Sequence, residues 1–281
     1  MTEQKIIKKI NKNLIITILF IAAFILSYIS FTISRYFIIT PKEFIGFIIS
    51  FFHPIEPFWD ESVIMFNYRV QLPRIILAFL VGSSLAVSGA AYQGIFKNPM
   101  ASPDILGASG GAAFGAALAI VNDKSNLVIT LYAFCFSVIG VTLVYLVSKK
   151  ANGDEIMTLV LSGIMISSLF TGATTYIKFT ADPLSQLPSI EAWLMGSFNL
   201  RFWRETKTAI IPILLGLIPL LLLRWKMNIL TLGDDEAKAI GIHPNRLRLI
   251  IIIFSTLSTS ASIAVCGKHG WAGLVIPHLA R

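Results

Sequence analysis

The residues best suited to metal or nucleophilic chemistry are four histidines, His53, His243, His269 and His278, and two cysteines, Cys135 and Cys266. Their spacing serves neither purpose. The histidines are scattered, with no HExxH pattern and no carboxylate pair beside them, and the cysteines lack the CxxC spacing of a zinc or redox site. Both cysteines lie in apolar stretches and read as small buried apolar residues. No Walker phosphate loop occurs, so the chain is not expected to bind ATP itself. No apolar run carries a mid-span carboxylate or lysine of the kind that relays protons or binds coupling ions. Neither cofactor nor metal is expected, and the chain does not read as an enzyme.

Two segments carry a denser pattern. One is a polar island, Gly233-Asp234-Asp235-Glu236-Ala237-Lys238-Ala239-Ile240-Gly241, continuing as His243-Pro244-Asn245-Arg246-Leu247-Arg248. Acids at the start and glycine at the end describe a short capped helix, and Pro244 opens a second one. Such a pair can merely join two spans. More than a turn of ordered polar sequence also invites a partner protein, which is the reading favoured here. The other segment is 69–115, where small residues recur at Gly82, Ser83, Ala86, Gly89 and Ala90, then at Gly107, Ser109, Gly111, Ala112 and Gly115. Small residues let helix backbones approach closely in lipid, and a Gly-lined contact can also slide or open. Between the two runs, Asn98-Pro99-Met100-Ala101-Ser102-Pro103 is a loop, either an ordinary turn or a functional one, and Pro103 is expected to open the next helix.

These segments must be positioned by helices in a bilayer. Of 281 residues, 55% are hydrophobic and 14% charged, against roughly 25% charged in soluble domains; the mean hydropathy is +0.76. In hydrocarbon every backbone polar group must be paired inside its own segment, so long apolar runs mean helices. Candidate spans are 14–33, 75–96, 105–121, 127–147, 156–177, 209–223 and 249–265, the third and sixth being short for a bilayer. The fold class is therefore all-α, a polytopic membrane helix bundle, read as one domain over 1–281.

The first run follows Lys5, Lys8, Lys9 and Lys12, but it is too long for a signal core and has no small-x-small cleavage site, so it is a retained helix. If the helices alternate, the N-terminal lysines, Lys97, Lys149, Lys150 and the cluster Arg224, Lys226, Lys238, Arg246 and Arg248 share one side, which the positive-inside rule makes cytoplasmic. The opposite loops, carrying among others Glu56, Asp60, Asp182, Arg201 and Arg204, show no basic excess. Basic patches between apolar runs suit membrane lipid and argue against nucleic acid, despite a net charge of +8. The outer stretches 41–52 and 189–203, the latter with Trp193 and Trp203, read as interfacial. After Gly267-Lys268-His269-Gly270, the apolar segment 271–281 is too short to span.

The run QLPRIILAFLVGSSLAVSGAAYQGIFKNPMASPDILGASGGAAFG, 71–115, resembles the second-to-third helix signature of the FecCD family, the iron-siderophore, haem, cobalamin and molybdate permeases of type II ABC importers. WLMGSFNLRFW at 193–203, LGDDEAKAIGI at 232–242 and GWAGLVIPHLAR at 270–281 agree with it. The resemblance implies a ten-helix fold, of which this chain holds about seven or eight and lacks the last two. It implies a second permease subunit, cytoplasmic ABC ATPase subunits, and an external solute-binding protein, in a bacterial or archaeal inner membrane with the N-terminus cytoplasmic.

By the same resemblance, the coupling segment is 226–248, with Gly233, Asp234, Glu236, Ala237, Gly241 and Arg246 meeting the ATPase. Arg74 docks the binding protein; the family has Arg-Leu-Pro-Arg where this chain has Gln71-Leu72-Pro73-Arg74, so Arg69 is assigned to the missing arginine's place. Gly82, Gly89, Gln93, Asn98, Pro99, Gly107, Gly111, Pro277 and His278 are assigned to the translocation pathway or its helix packing. The implied function is ATP-driven import of an iron-siderophore or related chelate. Cobalamin, haem or molybdate import is the alternative substrate reading, and an ATP-independent secondary transporter the alternative mechanism.

Overall fold

The computed structural model describes residues 12–33, 39–50, 53, 61–150, 155–199, 202–270 and 272–280. Lys5, Lys8, Lys9, Glu56, Asp60, Arg201, Trp271 and Arg281 lie outside them. All regular elements among the described residues are helical. The chain divides into two compact units, Met1–Ile75 and Ile76–Arg281.

In the first unit α1 (Lys12–Thr32) is uncharged beyond its first residue and nearly all exposed, with 6% of its span positions buried. That is what a lipid-facing helix requires. α2 (Pro41–Ser50) occupies most of the stretch read as interfacial. Thr40 caps it: its N–H and hydroxyl donate to Glu43 Oε2 at 2.8 and 2.9 Å, and the Glu43 N–H points back to Thr40 Oγ1 at 3.4 Å. Those bonds, the backbone one foremost, hold the exposed Glu43 carboxyl below its ordinary pKa. Phe44 meets Tyr28 and Phe31 edge-on at 4.9 and 5.2 Å. α3 (Glu61–Phe66) passes through a π-helical turn, Asn67–Gln71, into α4 (Leu72–Ile95), whose first residues end this unit.

The second unit holds the rest of α4, then α5 (Ala108–Val121), α6 (Asn126–Lys150), α7 (Glu155–Thr180), α8 (Gln186–Met195), α9 (Trp203–Leu222), α10 (Arg224–Leu232), α11 (Asp234–Ala239), α12 (Pro244–Cys266) and α13 (Ala272–Leu279). α12 is its axis: 72% of its span positions are buried. It packs on α5, α6, α9 and α11, and reaches α4 through side-chain hydrogen bonds. α5 packs between α6 and α7.

Two expectations change here. α9 is a full-length span of 20 residues, because its polar opening, Trp203 to Thr208, stays helical. Polar residues at that depth sit at headgroup level and need not interrupt a helix. α5 remains short, at 14 residues, because Pro103 opens a separate 3₁₀ turn, Pro103–Leu106, and Gly107 in the left-handed region (φ 81°) breaks the chain direction before α5 begins. A third correction concerns Cys135. It is exposed on α6, in line with exposed Leu131 and Ile139, whereas Cys266 is buried. The apolar run around Cys135 is apolar because that face meets lipid.

Candidate functional site

The polar island folds as a bracket against the foot of α12. Gly233 is extended between α10 and α11, and Asp234, Asp235 and Glu236 occupy the first turn of α11, where negative charge complements the helix dipole. α11 ends in a Schellman motif: the Ile242 N–H donates to the Ala237 carbonyl at 2.9 Å and the Gly241 N–H to the Lys238 carbonyl at 2.9 Å. Gly241 takes the left-handed φ of 81° that this turn demands. Ala237 is fully buried with Leu230, Leu247 and Ile251, which seats the bracket on the core.

Arg248 fixes it there. Its Nη2 donates to both carboxylate oxygens of Asp234, at 2.7 and 2.9 Å, and its Nη1 to Asn245 Oδ1 at 3.2 Å. The arginine is 9% exposed. The helix opened by Pro244 runs on as the α12 span to Cys266. A nearly buried arginine claims both oxygens of Asp234. Glu236 and Arg246 are exposed, while the Glu236 carboxylate lies over Gly233, in the space a side chain there would need. Arg248 was not assigned a site role from sequence. The available signal was a cation directly at the foot of an apolar run, where burial obliges it to find a partner.

The glycines separate into those that pack and those that do not. A Cβ on Gly89 would overlap the Gly273 carbonyl and lie 2.9 Å from Pro277 Cγ, so α4 and α13 meet through Gly89 and the buried Pro277. A Cβ on Gly111 would overlap the Phe136 carbonyl, and one on Gly115 the Tyr132 carbonyl, which is how α5 and α6 come together. Gly82 has nothing within 4 Å of such an atom, so its assignment to helix packing is not supported by any neighbour in the second unit's core. Gly163, unassigned from sequence, has its Cβ position filled by the Ile105 carbonyl, and a Cβ on Gly216 would lie 2.5 Å from the Phe254 carbonyl oxygen.

Gln93 is 1% exposed and donates to the Leu274 carbonyl at 3.1 Å, a second tie between α4 and α13. Asn98 and Pro99 stand apart from these contacts: both are exposed in a turn that the Asn98 Oδ1 closes by accepting from the Met100 N–H at 2.9 Å. His278 is also exposed. Arg69 is exposed on the π-helical turn and Arg74 half-buried at the start of α4, both in the first unit.

Sequence reasoning passed over the hydroxyls. Ser255, Thr256, Ser258, Thr259, Ser260 and Ser262 of α12 are all buried. Ser258 shares a hydrogen bond with Ser84 of α4 at 2.7 Å, Ser262 donates to Ser84 at 3.0 Å, and Ser260 pairs with Ser137 of α6 at 2.7 Å. A serine-threonine string inside an otherwise apolar span was the signal. A second set, Ser168, Thr171, Gly172 and Thr175, forms one exposed stripe of α7 at i, i+3, i+4 and i+7, its hydroxyls bonded to their own helix's carbonyls.

At the far end of the bundle, α8 is tied down by polar contacts. Gln186 Nε2 donates to the Val121 carbonyl at 3.1 Å, Lys178 meets Glu191 at 2.5 Å, and the Ser197 N–H donates to the Cys266 carbonyl at 2.8 Å. The Ser185 hydroxyl and N–H donate to Asp182, at 2.5 and 2.8 Å, and lower its pKa below the ordinary carboxylate value.

The model of the FecCD transport family matches residues 23–281. The chain belongs to that family. Among curated FecCD-like relatives, a Helicobacter pylori protein named as a probable iron chelatin transport system permease is 40% identical over 221 residues, 79% of this chain and 67% of its own length. The Haemophilus influenzae molybdate import system permease MolB is 38% identical over 227 residues, 81% of this chain and 66% of its own. The chain thus spans about two thirds of the length of these relatives. A solved structure described as an inward-facing ABC transporter of metal-chelate type matches 94% of this chain and 80% of its own, with a TM-score of 0.81 and 34% identity. The all-helical, multi-pass bundle is therefore the FecCD fold.

Proposed function

We propose that this FecCD chain is the membrane-spanning permease subunit of an ATP-driven importer. It lies in a bacterial or archaeal cell membrane with its N-terminus cytoplasmic, and it moves an iron-siderophore or related metal chelate without changing it chemically. An external binding protein delivers the solute near Arg69 and Arg74, a second permease subunit completes the pathway, and separate ATPase subunits dock on 226–248. The chain itself performs no hydrolysis.

The observation that carries this reading is the Asp234–Arg248 pair. A docking bracket can drive transport only if its position differs in free energy between outward-open and inward-open states. A rigid tie from α11 to the most buried span supplies the mechanical link. The exposed Glu236 and Arg246 are the contact residues, and Asp234 transmits. The stripe of small residues on α7, with Gly172 open beside it, is a face that another helix can approach closely, which supports a pathway shared with a second subunit.

The test is uptake of labelled iron-siderophore, haem, cobalamin and molybdate in a transporter-null strain that supplies the partner subunits. Molybdate is the second reading, because the relative named for molybdate import is 38% identical against 40% for the one named for iron chelatin. E236K and R246E each lower ATP-driven uptake and ATPase co-purification. D234R or R248D lowers uptake at least about tenfold, since opening a partly exposed bidentate pair costs about 2 kcal/mol, and the double swap restores part of it. Uptake that persists without ATP hydrolysis overturns the importer reading in favour of a secondary transporter. Unchanged uptake in R248D overturns the transmission role.

A further inference from the structure

A groove of about 500 Å³ opens between α6 and α9 with α12 as its floor, at the end of the bundle where α6 and α9 begin and α12 ends. Its lining is graded. Asn126, Arg204, Glu205 and Thr208 stand at the mouth; Leu131, Phe134, Pro212 and Ala264 line the deeper part. From Ser125 to Phe134 the α6 wall rises about 13 Å at 1.5 Å per residue, close to half of a hydrocarbon core about 30 Å thick. The groove is therefore about one leaflet deep, polar at the headgroup end and apolar below.

We propose that this groove holds an anionic phospholipid, with its phosphate on Arg204 and one acyl chain against Leu131, Phe134 and the small residues of α12. The charges at the mouth select the headgroup. Arg204 is exposed and meets no carboxylate among the described residues, whereas the Glu205 carboxylate is engaged in accepting the Phe202 N–H at 3.1 Å, on the first turn of its own helix. A guanidinium presents paired donors suited to a phosphate. Phosphatidylglycerol supplies the anion and the chain together. The site needs only the membrane-spanning fold and stands whether or not the import reading does.

The test uses the full chain in nanodiscs that contain phosphatidylglycerol or phosphatidylcholine bearing a diazirine in one acyl chain. Photolabelled peptides from α6 around Leu131 and α9 around Pro212 are expected with phosphatidylglycerol. R204Q lowers that labelling about tenfold, the loss of one charge-assisted contact, and leaves labelling of α1 unchanged. L131W, a change at an exposed side chain that keeps the fold, blocks the apolar half and lowers labelling by either lipid. Equal groove labelling by the two lipids that R204Q does not change overturns the proposal. So does displacement of the label by inorganic phosphate, or crosslinking of groove residues to a second protein chain in place of lipid.

Discussion

α1 and α12 are both long enough to cross a bilayer, and they do opposite things with it. α1 has 6% of its span positions buried and α12 has 72%. α1 is mostly Leu, Ile, Phe and Ala, with Thr17, Ser27, Ser30 and Thr32 set among them, and α12 carries six buried hydroxyl side chains between Ser255 and Ser262. In water the more apolar helix is the one driven inside. In lipid the tails are as apolar as leucine, so nothing drives it inward, and a helix is held centrally by close backbone packing and by hydrogen bonds that have no better partner elsewhere.

Breaking α12's surroundings therefore has the largest effect. Gly111→Leu forces a side chain into the Phe136 carbonyl and is expected to lose the folded bundle, read as failure to recover monodisperse protein after detergent extraction. Gly82→Leu, with open space at its Cβ position, and Phe24→Ala on exposed α1 leave recovery and thermal midpoint nearly unchanged. Equal damage from all three would erase the distinction between the two spans.

Smaller effects sharpen it. Ser258→Ala removes one partner of Ser84 and is expected to cost about 0.6 kcal/mol, the typical worth of an interhelical hydrogen bond in a bilayer. It is measured by reversible unfolding in mixed micelles, and Thr142→Ala on the exposed side of α6 serves as the reference near zero.

The smallest effect lies outside the bilayer, at Asp182. Its folded pKa is depressed by the Ser185 bonds, so its contribution is present above the ordinary carboxylate value, about 3.9, and is lost as pH falls through the lower folded value. Asp182→Asn should flatten the acid limb of the stability curve below about pH 4 and leave neutral pH unaltered. An identical acid limb in the variant removes the Ser185 bonds as its cause.

The sequence by itself determined the class of fold and most of its spans, because a bilayer forces apolar runs of span length to be helices whatever surrounds them. It also determined the glycines at 89 and 111 as contact points and the cap at Gly241, each a local demand on backbone shape. It left α9 too short and Cys135 on the wrong side, since apolar composition cannot tell a lipid face from a core. It put Gly82, Gly89 and Gly111 in one class, although only the last two meet another backbone. Tertiary structure decided which partner each polar group finds: Arg248 reaches fourteen residues back to Asp234, Ser84 reaches Ser258, and an arginine at the head of α9 stands over a groove walled by α6. Those choices depend on which helices become neighbours, and in lipid that is settled by packing between spans far apart in the chain.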